Sequence, residues 1–125
     1  MNKILVVDDS VETTDLVKLM LESAGHSCTT ANGGQEALEL IRNNRFDLIL
    51  LDGAMPEISG VDVLKELKQD GTLGNNRIVF FTASPTFTDL KMGDLKKEYG
   101  VLDTFRKPFT KKELVDLVTK YLVAH

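Results

Sequence analysis

Short apolar runs alternate with longer segments of helical spacing along the whole chain, and no other feature constrains the fold as strongly. The runs predict five strands, at residues 3–8, 27–31, 46–52, 77–82 and 101–106. The third run is apolar at four successive positions, which is typical of a strand that helices cover on both faces. Strict alternation of strands and helices predicts parallel strands joined by right-handed crossovers. Because 125 residues are too few for an eight-stranded barrel, we expect an α/β fold with an open five-stranded parallel sheet and helices on both faces.

Helix signals separate these strands and follow the last one. Ser10 and Thr110 are placed to cap the first and last helices, because a hydroxyl oxygen can accept an unpaired N–H group of the first turn. The inward face of the first helix is expected to hold Thr14, Val17, Met20, Leu21 and Ala24. The other helices are predicted to begin near Gly34, near Gly60 and at Thr86. We therefore expect a single domain over residues 1–125.

Composition and charge argue against several classes of function. Nineteen acidic against fifteen basic residues give a net charge of -4, so the chain lacks the positive field that binds phosphate backbones, and we predict no direct binding of nucleic acid. No apolar run approaches the roughly 20 residues that span a bilayer, so we predict no membrane association. The single cysteine, Cys28, can form no internal disulfide, which fits a cytoplasmic location.

Reactive side chains follow the predicted strands at one edge of the sheet. Asp8 and Asp9 end the first strand, Asp52 ends the third, Thr82 ends the fourth, and Lys107 follows the fifth. Ligands bind outside the carboxyl ends of parallel strands, so we expect these side chains to converge, with nothing comparable from the second strand. Clustered carboxylates repel one another unless a cation lies among them. Oxygen ligands without histidine or cysteine favour Mg²⁺.

This set of residues fits phosphoryl transfer. Asp52 is a candidate nucleophile for an aspartyl phosphate, while Mg²⁺ and the Lys107 ammonium would neutralise the phosphoryl oxygens. Thr82 could donate a hydrogen bond to the same group. Taken singly, each residue is more simply a helix cap, a strand residue or a solvated charge. Their joint position at one edge favours a functional site.

Four motifs resemble the receiver domain of two-component response regulators, over essentially the whole chain. They are residues 4–10 (ILVVDDS), Asp52 with Met55-Pro56 and Gly60, Thr82-Ala83, and residues 106–109 (RKPF). The resemblance implies a flavodoxin-like sheet with strand order 2-1-3-4-5. It also implies a cis peptide bond between Lys107 and Pro108.

The resemblance further implies a role in a phosphorelay. Asp52 would accept a phosphoryl group from a histidine kinase or a histidine phosphotransfer protein, and the change would alter the binding of an unknown downstream protein. Mg²⁺, or Mn²⁺, would be held by Asp9, Asp52 and the backbone carbonyl of Ala54, with Asp8 helping through water. The chain would catalyse only its own phosphorylation and slow dephosphorylation, and is otherwise not an enzyme.

One position departs from the family pattern. The family carries an aromatic residue three positions before the lysine, where it works with Thr82 as a switch, but this chain has Thr104 there. Phe105 is adjacent, and side chains alternate along a strand, so it is expected on the opposite face, packed under a helix. We therefore expect the switch to work differently from the family's.

Two other functions remain open. The Thr104 departure suggests a phosphorylation-independent protein-interaction module with the same fold. A small phosphatase or phosphomutase could instead use Asp52 covalently, although Glu57 is the only further carboxylate in the loop after it.

Overall fold

The fold is a parallel sheet between two layers of helices. A computed structural model describes residues 2–53, 55–82 and 89–123. Within these residues the strands are β1 (Lys3–Val7), β2 (Ser27–Ala31), β3 (Leu48–Asp52), β4 (Ile78–Thr82) and β5 (Asp103–Arg106). They pair in parallel in the order β2-β1-β3-β4-β5. The predicted α/β class and flavodoxin-like strand order are confirmed.

The helices of this described part occupy the predicted places. They are α1 (Val11–Ser23), α2 (Gly34–Asn43), α3 (Gly60–Gln69), α4 (Asp89–Tyr99) and α5 (Lys111–Val123), with a short 3₁₀ helix at Leu73–Asn75 that the sequence did not predict. The predicted start of α4 at Thr86 lies outside the described residues. None of the helices described is long and apolar enough to cross a membrane.

Side-chain caps fix the starts of several helices. The Ser10 hydroxyl accepts the N–H of Thr13 at 3.3 Å, which confirms the predicted cap of α1. The Thr110 hydroxyl accepts the N–H of Glu113 at 3.1 Å, and the Glu113 carboxylate accepts the N–H of Thr110 at 2.9 Å. This reciprocal pair is a capping box at the start of α5. Ser59 and Asp62 form a second one at α3.

The sheet divides the core into two layers. All five residues of β3 are buried, as expected of a strand covered on both faces. Ile49 and Leu51 face a layer that includes residues of α2, α3 and α4, whereas Leu48 and Leu50 face residues of α1 and α5. The prediction for Ala24 on the inward face of α1 is wrong: the helix ends at Ser23, and Ala24 is an exposed cap.

Close packing determines the path of the loop between β3 and α3. A Cβ atom on Gly60 would lie 2.4 Å from the carbonyl oxygen of Asp52, and one on Gly34 would lie 2.6 Å from Cγ2 of Ile58. The N–H of Ile58 donates to the carbonyl of Pro56 at 2.8 Å, around Glu57 with a φ of 67°. This is a γ-turn with a left-handed φ, a conformation that non-glycine residues rarely adopt. The loop is therefore held from both α2 and α3.

Candidate functional site

Three carboxylates meet at the carboxyl edge of the sheet. Asp8 and Asp9 follow β1 directly, and Asp52 ends β3, which pairs with β1. One carboxylate oxygen from each lies within 4.8 Å of the others. Asp8 and Asp52 are 1% and 4% exposed, whereas Asp9 is exposed to solvent. The site therefore has a buried floor and an open mouth.

Lys107 brings a positive charge into this cluster from the loop after β5. Its ammonium forms an ion pair with Oδ2 of Asp8, and it lies 3.6 Å from Oδ2 of Asp52. The peptide bond between Lys107 and Pro108 is cis, as the resemblance implies. The lysine side chain is 19% exposed, so solvent screens these interactions only in part. One cation thus bridges two buried carboxylates.

Asp8 is fixed by several further hydrogen bonds. Its Oδ1 accepts the N–H of Ser10 at 2.9 Å, so both of its carboxylate oxygens are engaged. Its carbonyl accepts a hydrogen bond from Nδ2 of Asn32 at 3.0 Å, and the same amide donates to the Thr14 hydroxyl at 3.0 Å. The turn after the second strand therefore contributes a supporting amide that the sequence analysis does not predict, although not a reactive group comparable to those after the other strands. Asn32 follows β2 at the same edge, and that position was the signal that could have identified it.

The donor chemistry fits Mg²⁺. Three carboxylates and one ammonium leave an excess of negative charge, which a divalent cation would neutralise. The three side chains that could ligate an ion all offer carboxylate oxygens. The exposed mouth at Asp9 leaves room for the water ligands that Mg²⁺ retains. Both oxygens of Asp8 are engaged, and Asp9 lies at the exposed mouth.

Two predicted site groups lie outside the described part of the chain. They are the side chain of Thr82, whose backbone ends β4 beside Arg106, and all of Ala54. The structure therefore shows the predicted carboxylates and lysine together, and the predicted hydroxyl and carbonyl remain predictions.

Thr104 and Phe105 lie on opposite faces of β5. Thr104 pairs in register with Phe80, which belongs to the layer shared with α2, α3 and α4. Phe105 packs in the other layer, beneath α5. Its ring centroid lies 4.9 Å from that of Phe109. Phe105 therefore packs under a helix, as expected. The position at which the family carries its aromatic residue is occupied by Thr104.

A partly buried hydrogen bond joins β5 to α5 beside Thr104. The hydroxyl of Tyr121 donates to Oδ2 of Asp103 at 2.5 Å, and the other oxygen of that carboxylate accepts the N–H of Thr104 at 2.7 Å. Burial, with a further contribution from Asp103, raises the pKa of Tyr121 to about 12. This contact holds α5 against the sheet through a neutral tyrosine.

Comparison with known proteins identifies the class. The family model for the response regulator receiver domain matches residues 4–119. CpxR of Escherichia coli K12, a transcriptional regulatory protein, is 40% identical over 115 residues. Sporulation initiation phosphotransferase F of Bacillus subtilis is 36% identical over 120 residues. The chain belongs to the family of response regulator receiver domains.

The extent of these matches differs. The alignment with CpxR covers 92% of this chain but 47% of CpxR, so the chain spans about half the length of that relative. The alignment with phosphotransferase F covers 96% of this chain and 93% of that protein. A crystal structure of the response regulator TrrA from Thermotoga maritima, in complex with Mg²⁺-BeF, superposes with a TM-score of 0.81 and 32% identity, covering 98% of this chain and 100% of TrrA. Receiver domains are the phosphoacceptor domains of two-component systems.

Proposed function

We propose that Asp52 is the residue that this receiver domain phosphorylates, with a histidine kinase or a histidine phosphotransfer protein as donor. The observation that carries the proposal is the bridging position of Lys107, which lies 3.6 Å from the Asp52 carboxylate and pairs with Asp8. Asp8 has both oxygens engaged, and Asp9 lies at the solvent-exposed mouth. Asp52 is the other buried carboxylate beside the ammonium, at the carboxyl end of β3, and we infer that it is the nucleophile.

The proposed step is an in-line transfer. A carboxylate oxygen of Asp52 forms a bond to phosphorus as the bond from phosphorus to the donor's imidazole nitrogen breaks. That nitrogen keeps the electron pair, and a proton on the other ring nitrogen lets the imidazole leave as a neutral group. Lys107 neutralises charge on the phosphoryl oxygens. Its ammonium is already close to the reacting carboxylate, because it lies between Asp8 and Asp52. Water later hydrolyses the acyl phosphate and restores the carboxylate.

The metal has a defined place in this proposal. Asp9, Asp52 and the backbone carbonyl of Ala54 would hold Mg²⁺ or Mn²⁺, with Asp8 assisting through water. When bound, the ion would supply positive charge next to the phosphoryl oxygens. Asp8 would keep its bonds to Ser10 and Lys107, so the floor of the site would not need to rearrange.

The proposed output is a shift between conformations with different affinities for a partner. Thr82 would donate its hydroxyl to the phosphoryl group and move toward it. Thr104 lies on the face where the family carries its aromatic switch, but it has no ring to rotate. Phe105 packs under α5, on the other face, so the response here would depend on other groups.

We propose that the donor docks on α1. The helix begins two residues after Asp9, and its outer face exposes Val11, Leu16 and Leu19 by 56%, 52% and 67%. Single exposed leucines are common, but three large apolar side chains exposed on one helix that begins beside the mouth of the site support this proposal.

The remaining proposals concern partners and location. The chain would act by binding an unknown downstream protein, would catalyse only its own phosphorylation and slow dephosphorylation, and would reside in the cytoplasm. No direct contact with nucleic acid is proposed for these 125 residues, because their net charge is -4. CpxR is by name a transcriptional regulatory protein about twice as long, so this proposal concerns the present chain alone.

The other two functions are less favoured. A phosphorylation-independent module would not require a lysine that bridges carboxylates at this edge of the sheet. The chain has both the three clustered carboxylates and the bridging lysine. For a phosphatase or phosphomutase, Glu57 would have to reach Asp52, but it lies exposed on the γ-turn that faces the start of α2.

Incubation with acetyl phosphate and Mg²⁺, followed by intact mass measurement, tests the proposal. One phosphoryl group is expected on the unaltered chain and none after chelation of the metal. Asp52→Asn should abolish labelling, whereas Asp116→Asn, an exposed control on α5, should not change it. Unchanged labelling of Asp52→Asn would overturn the assignment.

A further inference from the structure

The ring of Phe81 lies directly beneath the ammonium of Lys107. The distance from Nζ to the ring centroid is 4.7 Å, and the phenylalanine is 2% exposed. Phe81 is the penultimate residue of β4 and pairs in register with Asp52 on β3 and with Phe105 on β5. The strand register therefore places an aromatic face immediately beside the candidate nucleophile.

The ring of Phe109 packs against Phe81, and a third ring packs against Phe109. The ring of Phe109 meets that of Phe81 nearly edge to face, with centroids 6.2 Å apart and planes at 68°. The ring centroid of Phe105 lies 4.9 Å from that of Phe109, with the planes tilted by 35°. Such edge-to-face contacts are attractive beyond the apolar area that they bury. The three rings form one cluster, which we call the aromatic wall, beside Lys107.

This wall limits where the ammonium can go. A lysine side chain has four rotatable bonds, and its head group ordinarily moves among many positions in water. Here Asp8 and Asp52 attract the head group by their charge, and the face of Phe81 attracts it through the ring's electron density. The ring also keeps water from its own side of the cation, which strengthens all three interactions.

We propose that Phe81 is a positioning residue for phosphorylation, which acts by holding the Lys107 ammonium between Asp8 and Asp52. The inference rests on the function proposed for Asp52. A held ammonium is in place when charge develops on the phosphoryl oxygens, whereas a mobile one must first be ordered. The side chain at residue 81 therefore sets the rate of labelling without itself contacting the reacting atoms.

Phe81→Leu and Phe105→Leu make a matched pair of variants. Each removes one ring from the same cluster and leaves an apolar side chain, but only Phe81 lies against the ammonium. Replacement of Phe81 by trifluorophenylalanine is the sharper variant, because fluorine withdraws electron density from the ring face and leaves its shape nearly unchanged. That variant separates attraction for the cation from packing of the core.

The first readout is the NMR shift of the Lys107 side-chain protons in the unphosphorylated chain. The ring current of Phe81 should displace these resonances, and the displacement should disappear in Phe81→Leu and persist in Phe105→Leu. The second readout is the rate of labelling by acetyl phosphate with Mg²⁺. We expect it to fall about tenfold in Phe81→Leu, equivalent to about 1.4 kcal/mol, and by less than about twofold in Phe105→Leu.

The outcomes separate this inference from the function on which it rests. An unaltered chain that takes up no phosphoryl group overturns the role of Asp52. If the unaltered chain, Phe81→Leu and the trifluorophenylalanine variant are all labelled at the same rate, the role of Phe81 is overturned. The role of Asp52 is then unaffected. A slow Phe81→Leu variant with a trifluorophenylalanine variant of unaltered rate also overturns it, since packing rather than the ring's charge distribution would then set the rate.

Discussion

Substitution of Gly60 by alanine should displace the candidate phosphoacceptor. The added Cβ would lie 2.4 Å from the carbonyl oxygen of Asp52 and 2.9 Å from Cα of Gly53. Both neighbours are backbone atoms, and ordinary contact begins at 3.4 Å, so the start of α3 and the end of β3 have to separate by about 1 Å. Overpacking of this kind costs about 1–3 kcal/mol.

Gly60→Ala also has a stabilising effect on the helix, so a control variant is needed to separate the two effects. Alanine is a better helix former than glycine by about 1 kcal/mol, which partly offsets the overpacking in α3. Gly93 lies in α4, and a methyl group added there would meet nothing within 4 Å, so Gly93→Ala carries the favourable effect alone. We expect Gly93→Ala to raise the free energy of unfolding by about 0.5–1 kcal/mol and Gly60→Ala to lower it by about 1–2 kcal/mol.

Urea denaturation and acetyl phosphate labelling together measure both consequences. Because a 1 Å misplacement of reacting groups can slow a reaction about 100-fold, Gly60→Ala should lose labelling even under conditions where it is folded. Gly93→Ala should label like the unaltered chain. A Gly60→Ala variant with unchanged stability and unchanged labelling would show that the close approach of α3 to Asp52 does not hold the site.

Two further predictions concern the strained turn at Glu57 and the half-buried Tyr121. Glu57→Gly should raise the free energy of unfolding by about 1 kcal/mol, because glycine adopts the φ of 67° without steric cost; a loss of stability in urea denaturation would contradict this. The pKa of Tyr121 is raised from an ordinary 10.0 to about 12, so its contribution to stability should be complete below pH 10 and disappear as the pH rises toward 12. Ultraviolet titration of tyrosinate, with Tyr121→Phe to identify the signal, checks the shift, and a midpoint near 10 for Tyr121 would refute it.

The fold could be predicted because it depends on periodic patterns. Five strands and their parallel order follow from apolar runs separated by helical segments, and the strand ends agree with the structure within two residues. Asp8, Asp9 and Asp52 could be chosen as site residues because the topology brings the ends of β1 and β3 together, whatever the details of packing. Such inferences need only the order of residues along the chain.

Features that depend on contact between distant side chains could not be predicted in this way. The Phe81 ring beneath Lys107 requires the register of β4 with β3 and the course of the loop after β5. The role of Asn32 requires that the turn after β2 approach the carbonyl of Asp8. Helical spacing does not show where the last turn ends, so it wrongly predicts Ala24 on the inward face of α1.

The central claim is that Asp52 alone carries the phosphoryl group, and the most direct measurement is the position of that group in the chain. Borohydride reduces an acyl phosphate and converts the aspartate that carried it to homoserine, which peptide sequencing by mass spectrometry can locate. After labelling by acetyl phosphate and Mg²⁺, homoserine is expected at residue 52 and at no other aspartate. Homoserine at Asp8 or Asp9, or at none of the three clustered aspartates, would contradict the account.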